Sequence, residues 1–197
     1  NLKDPTEAAA AWRLAMACYF VGFRLTPERD AKAELYSEGR AAAFIAAREH
    51  DKCAACHFWG AIDLALLGQA VGALKMLFAL GELRDHLKLV NELDPRYAFG
   101  GAHRMLGMIE WKLPGILGGS NDRAREHFEK ALAIAPDEPL NYLFLARMQA
   151  EDLDDHEGAA STARRGLDVP TPPDERLESL EALMDLKQLL EKESQKR

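Results

Sequence analysis

The chain has 197 residues, of which 48% are hydrophobic and 29% charged, a composition typical of a soluble folded protein. Acidic residues outnumber basic ones 32 to 25 and the net charge is −7, which disfavours nucleic-acid binding because that binding needs clustered lysine and arginine. Asp63, Gln69 and Lys75 interrupt the apolar stretch 61–80, so the sequence predicts no transmembrane segment.

Hydrophobic periodicity predicts an all-α protein. Apolar residues recur three and four positions apart, and no segment shows the alternation of a half-buried strand. We expect a single helical-repeat domain over residues 1–197, a tetratricopeptide-like α-solenoid of about four helical hairpins with a C-terminal capping helix. The predicted hairpins span residues 6–50, 51–95, 96–136 and 137–168, and the capping helix spans 174–193. The two helices of the fourth hairpin are predicted at about 139–152 and 156–167.

Capping residues indicate where the first helices begin and end. Thr6 is the predicted N-cap of the first helix, and Thr26, followed by Pro27 and Glu28, is that of the second. The second hairpin ends at Asp94-Pro95, because proline does not continue a helix.

The third hairpin carries the repeat pattern. Gly107 stands where close helix packing leaves no room for a side chain. A small, aromatic, small, proline pattern typical of a tetratricopeptide second helix follows at Ala124, Phe128, Ala131 and Pro136.

A Pro/Gly-rich loop connects the two helices of this hairpin. It contains Pro114, Gly115, Gly118 and Gly119, and Ser120 is the predicted N-cap of the helix that follows. No Gly-Lys-Ser or Gly-Lys-Thr sequence is present to hold a phosphate, and the residues between the glycines are apolar. We therefore expect a structural loop that packs against the protein.

Three segments resemble a known family. DPRYAFGGAHRMLG at 94–107, KLPGILGGSNDRAREHFEKAL at 112–132 and HFWGAIDLALLG at 57–68 are similar to sequences of the T-component family of tripartite TRAP transporters. The resemblance covers about residues 30–165. It implies a periplasmic, often lipid-anchored, all-helical protein with a hydrophobic channel or groove, which associates with a solute-binding subunit.

Stacked hairpins usually place their first helices on a concave face. Trp59 and Asp63, Arg104 and Trp111, and Tyr142 lie on three successive first helices. They are the candidate contacts of a groove for a partner or ligand. The alternative is that Asp63 and Arg104 form a structural ion pair while both tryptophans fill the core.

Cys53-Ala-Ala-Cys56-His57 matches the attachment signature of c-type haem, whose two thiols and histidine lie on one side of a helix. A haem at the start of a repeat would replace part of the core. A local Cys53–Cys56 disulfide, free buried thiols and a metal site are the other interpretations, and Cys18 is expected to act as a small apolar residue.

Catalytic and metal-binding motifs are not apparent. His50, His86, His127 and His156 are scattered singly and are expected at the surface or at helix ends, and no serine stands in a Gly-x-Ser-x-Gly turn. We expect no enzyme activity, no resident cofactor and no metal.

The sequence thus predicts a non-enzymatic protein-binding module resembling the exported T-component. The alternatives are a c-type haem electron carrier and a generic tetratricopeptide assembly scaffold. Because the chain begins at Asn1 rather than Met, we expect that something upstream is missing, either a segment cut off the chain or a processed signal or lipoprotein leader. We favour the leader and thus a periplasmic or outer-membrane-associated protein; a cytoplasmic location is the alternative.

Overall fold

The computed structural model describes residues 5–170 and 177–195, and for residues 5 and 73–76 it describes the backbone alone. All regular elements in the described ranges are helical, which confirms the all-α prediction. The α-helices are α1 Pro5–Phe20, α2 Arg29–Glu49, α3 Ala54–Val71, α4 Ala73–Leu93, α5 Gly101–Lys112, α6 Asn121–Ile134, α7 Pro139–Asp152, α8 His156–Leu167 and α9 Leu177–Ser194.

The helices group into two compact units. The first is Asn1–Tyr97, with α1 to α4, and the second is Ala98–Arg197, with α5 to α9. The order of the helices follows the predicted hairpins. The continuous solenoid and the single domain over residues 1–197 stay predictions.

Most predicted helix boundaries agree with the structure. The α6 helix begins after Ser120, whose hydroxyl accepts a hydrogen bond from the Arg123 amide at 3.3 Å, and α4 ends at its C-cap Asp94. The predicted boundaries of α7 and α8 agree with those observed. The part of the predicted capping helix before Leu177 lies outside the described residues.

Both threonine caps were wrong. The α1 helix begins at Pro5, so Thr6 lies within its first turn. The α2 helix begins at Arg29 with Glu28 as N-cap, and the Thr26 hydroxyl instead donates to the carbonyl of Val21 at 3.0 Å. A π-helical turn, Val21–Leu25, extends α1, so Thr26 satisfies a carbonyl at the end of one helix instead of capping the next.

Glycines allow close helix packing in both units. A Cβ atom on Gly60 of α3 would overlap the Phe44 ring of α2. In the second unit, a Cβ on Gly107 of α5 would lie 2.5 Å from Phe128 of α6, as the sequence predicted for this glycine. Ala124, Phe128 and Ala131 are all completely buried, so the repeat pattern is the packed face of α6.

The α3 helix is the one helix in the described residues that is long and apolar enough to cross a membrane by length and composition, although the sequence predicted no such segment. In the first unit it packs against α1, α2 and α4. These contacts account for part of its apolar character, since 44% of the helix is buried inside the fold.

Candidate functional site

Trp59 and Asp63, the first two groove candidates, lie one turn apart on α3 in the first unit. Trp59 is half-buried, and its indole N–H donates to the Tyr97 hydroxyl at 3.0 Å. The Trp59 ring also packs against Tyr19, with the ring centres 5.6 Å apart. Trp59 therefore ties α3 to α1 and to the end of the first unit.

Asp63 is fully buried, and neither of its carboxylate oxygens has a hydrogen-bond partner in the part of the chain that the structure describes. Its neighbours are Cys18 of α1 and Gly39 of α2, and a Cβ on Gly39 would overlap the carboxyl group. Burial away from water raises the pKa of Asp63 to about 8, because the charged form loses its hydration without gaining a partner. Asp63 is therefore largely protonated at neutral pH and is unsuited to contact a partner at the surface.

The charge of Asp63 affects the pKa of two neighbouring groups. Burial raises the pKa of the Cys18 thiol to about 11, and the Asp63 charge adds to the effect. Burial and the same charge raise the pKa of Tyr36. Cys18 is a buried free thiol, in agreement with the prediction that it acts as a small apolar residue.

Arg104, a candidate in the second unit, is half-buried and belongs to a polar network. Its guanidinium donates to Asn141 Oδ1 at 2.6 Å and to the carbonyls of Ala98 and Phe99 at 3.3 and 3.4 Å. Asn141 in turn donates to the carbonyls of Phe99, Ala131 and Ala135. Arg104 thereby helps to join the start of α5 to α7.

The other two candidates of this unit are buried. The Trp111 indole N–H donates to the carboxylate of Asp152, and the Tyr142 hydroxyl donates to the carbonyl of Pro136 at 2.8 Å. Both rings belong to the core of the unit.

The five groove candidates are thus divided between the two units. Trp59 and Arg104 are half-buried and have accessible surface, whereas Asp63, Trp111 and Tyr142 are buried. The groove stays a prediction, and the alternative of core-filling side chains accounts for Trp111.

Cys53 and Cys56 form a disulfide at the start of α3, one of the interpretations that the sequence left open. The Cys56 amide also donates to the Cys53 sulfur at 3.1 Å, so Cys53 serves as the N-cap of the helix. The spacing of three residues places both side chains on the same side of the first turn.

His57 completes the possible haem motif, but its surroundings do not fit a haem. His57 Nδ1 lies 2.7 Å from His86 Nδ1, and His57 Nε2 lies 3.3 Å from the carbonyl of Asp51. His57 and Cys56 are both buried among α1, α2 and α4 residues, which leaves no open face for a porphyrin. The observed structure thus gives no support to the electron-carrier alternative.

Sequence analysis missed two histidine pairs, because it treated His86 and His127 as single surface or helix-end residues. His86 pairs with His57, and His127 pairs with His103, with 2.9 Å between their Nδ1 atoms. Burial lowers the pKa of all four imidazole rings, and that of His103 falls to about 4. The rings are therefore neutral at pH 7, and in each pair one ring donates a hydrogen bond to the other. The sequence offered one signal for these pairs. His57 lies three residues before the packing glycine Gly60 of α3, and His103 lies four residues before the packing glycine Gly107 of α5.

Among the residues that the structure describes, one group of side chains could hold a cation. The ligand atoms of Glu7, Glu49 and His50 lie within 4.8 Å of one another, where the start of α1 meets the end of α2. Both glutamates are exposed, and acidic side chains often gather in this way without a metal. The prediction of no metal therefore stays a prediction.

A pocket of about 260 Å³ lies among α2, α3 and α4. Its walls are mostly apolar and include Leu64, Leu67 and Phe78, and Arg40 lies 3.6 Å from Glu82 at its edge. It is much smaller than a channel through the protein.

The Pro/Gly-rich loop is ordered at its base and exposed at its tip. A short 3-10 helix, Gly115–Leu117, forms the tip, and Gly118 has a φ of +89° that favours glycine. Ile116 is 95% exposed and Leu117 43% exposed, so the expectation that the loop packs against the protein is wrong for these two side chains. They point outward because the glycines around them turn the chain away from the helices.

These features define a class of protein: an all-helical one, in which helices adjacent in the chain pack through glycine and aromatic residues. A family model, TRAP transporter T-component, matches residues 13–195, so the chain belongs to the TRAP transporter T-component family. The match confirms the resemblance drawn from three short segments and extends it to nearly the whole chain. No curated protein matches the chain.

Proposed function

We propose that this protein is an accessory subunit of a TRAP transporter that acts by binding a solute-binding subunit and carries out no reaction itself. The observation that carries the proposal is the family match over residues 13–195. The organisation of the polar groups is consistent with it, since Arg104, Trp111 and Tyr142 make hydrogen bonds that hold the fold together.

We place the protein on the periplasmic side of the membrane, with a lipid anchor upstream as one way to hold it there. The Cys53–Cys56 disulfide supports an oxidising compartment, because such bonds persist in the bacterial periplasm and are rare in the cytosol. Trp59 and Arg104, which are both half-buried, are the groove candidates best able to contact a partner.

The test is direct binding between purified proteins. The chain, with its disulfide intact, is titrated by calorimetry with the solute-binding subunit of the same transporter, and a solute-binding protein from an unrelated transporter serves as the control. We expect saturable binding to the first and none to the second. Equal binding to both, or none to either, would contradict the proposal.

A further inference from the structure

The apolar tip, which we define as Ile116 and Leu117, is the most unusual surface feature of the second unit. Ile116 is 95% exposed, the highest value among the large hydrophobic side chains of the described residues, and the neighbouring Leu117 is 43% exposed. Folding gains nothing from an aliphatic side chain that stays in water.

The loop below the tip is held by hydrogen bonds. The amides of Leu117 and Gly119 donate to the Pro114 carbonyl at 2.8 and 3.2 Å. At the base of the loop, the Ser120 amide donates to the Glu110 carbonyl at 2.9 Å. The tip is therefore presented in one defined conformation.

An ion pair between an exposed arginine and a buried glutamate also holds the loop. Arg123 donates to the buried Glu110 carboxylate at 2.6 and 2.8 Å and also to the carbonyl of Gly118. A Cβ on Gly119 would overlap the carbonyl of Leu113, so this position also requires glycine. These contacts hold the backbone beneath the tip, and an anchor on an ordered backbone loses less entropy when it binds than one on a flexible loop.

We propose that the apolar tip is an anchor that inserts into an apolar pocket on the transporter subunit that this protein binds. The inference rests on the proposed function, because it names the surface through which that function operates. One or two aliphatic side chains suit a pocket of a protein, where a small, buried anchor contributes much of the affinity.

The charges around the tip favour a protein over a lipid surface. Lys112 lies 3.1 Å from Glu151, and Arg123 is paired with Glu110, so these two basic side chains both have acidic partners. The chain as a whole carries a net charge of −7. Anionic membranes attract clustered basic residues, and this surface does not offer them.

The test compares the affinity of the wild-type chain and of Ile116→Ala for the purified solute-binding subunit of the same transporter. We expect Ile116→Ala to weaken binding about tenfold or more and Ile116→Leu to retain most of the affinity. Met184→Ala is the matched control, since Met184 is 64% exposed on α9 and lies outside the loop. Circular dichroism is recorded to verify that each variant is folded.

Each outcome separates this inference from the proposed function. If the wild type and Ile116→Ala bind the subunit with the same affinity, the anchor inference is wrong while the proposed function stands. The same holds if Met184→Ala weakens the affinity as much as Ile116→Ala does. If the wild type does not bind the subunit, the proposed function is wrong, and so is the inference that the apolar tip binds this subunit. Binding to vesicles of phosphatidylethanolamine and phosphatidylglycerol that is lost in Ile116→Ala would instead assign the tip to a membrane and overturn the inference.

Discussion

At the scale of single residues, the buried carboxyl group of Asp63 makes the stability of the fold depend on pH. Its pKa rises from the ordinary value of 3.8 to about 8 because the carboxyl group is buried without a partner. Between these two values the folded chain keeps the proton that the unfolded chain has lost. The free energy of unfolding must therefore fall as the pH rises from about 4 to about 8, the opposite of the trend for a salt-bridged aspartate.

Replacing the Asp63 carboxyl group with the neutral amide of asparagine, which has nearly the same shape, tests this pH dependence. We expect the stability advantage of Asp63→Asn over the wild type to grow between pH 5 and pH 8, by on the order of 3–4 kcal/mol. Urea unfolding at both pH values measures the difference. Asp85→Asn is the control, because the Asp85 side chain is 78% exposed, and we expect no such pH dependence from it. A constant difference between wild type and Asp63→Asn at pH 5 and pH 8 would show that Asp63 is ionised in the folded chain.

At the scale of helices, packing follows from small residues placed opposite aromatic ones. Gly60 admits Phe44 in the first unit, and Gly107 admits Phe128 in the second. The same residue types thus join α2 to α3 and α5 to α6. Because protein interiors are close-packed, a single added methyl group at such a contact forces the helices apart or the ring out of place.

We expect Gly107→Ala to lower the free energy of unfolding by about 1–3 kcal/mol, because its Cβ would lie 2.5 Å from the Phe128 ring. Gly115→Ala is the matched control in the same unit. A Cβ there meets nothing within 4 Å, and we expect a change of at most about 0.5 kcal/mol. Thermal and urea unfolding measure both variants. Equal stabilities for the two would mean that the α5–α6 contact relaxes without cost.

At the scale of the whole molecule, the fold offers two sets of candidate contacts for a partner. One is the predicted groove, of which Trp59 and Arg104 are the members with accessible surface. The other is the apolar tip at Ile116 and Leu117, whose exposure is much greater. If a side chain contributes to binding, its truncation must weaken the affinity for the partner even under conditions where the variant remains folded.

The groove is tested by Trp59→Ala and Arg104→Ala, each measured for stability and for affinity to the solute-binding subunit. We expect both variants to be less stable by about 1–3 kcal/mol, because Trp59 donates to Tyr97 and Arg104 to Asn141. If these residues contact the partner, affinity also falls about tenfold at a temperature where both variants remain folded. Unchanged affinity with lower stability would mean that their role is structural.

Much of the local structure was predictable from short stretches of sequence. The boundaries of α7 and α8, the Ser120 cap and the end of α4 at Asp94 agree with the prediction. Each depends on signals within a few residues of the boundary, such as a capping side chain or a proline. The Thr26 cap was wrong because a competing acceptor, the Val21 carbonyl, became available only when α1 extended into a π-helical turn.

The sequence by itself determined the helical class, the order of the helices, the family and the pair of cysteines able to form a local bond. Only the tertiary structure decided that Asp63 is buried without a partner, that the four histidines form two pairs, and that Ile116 stands in water. The physical reason is the range of the interactions. Helix formation is governed by neighbours along the chain, whereas burial and pairing depend on which distant helices pack together, and no local pattern specifies that.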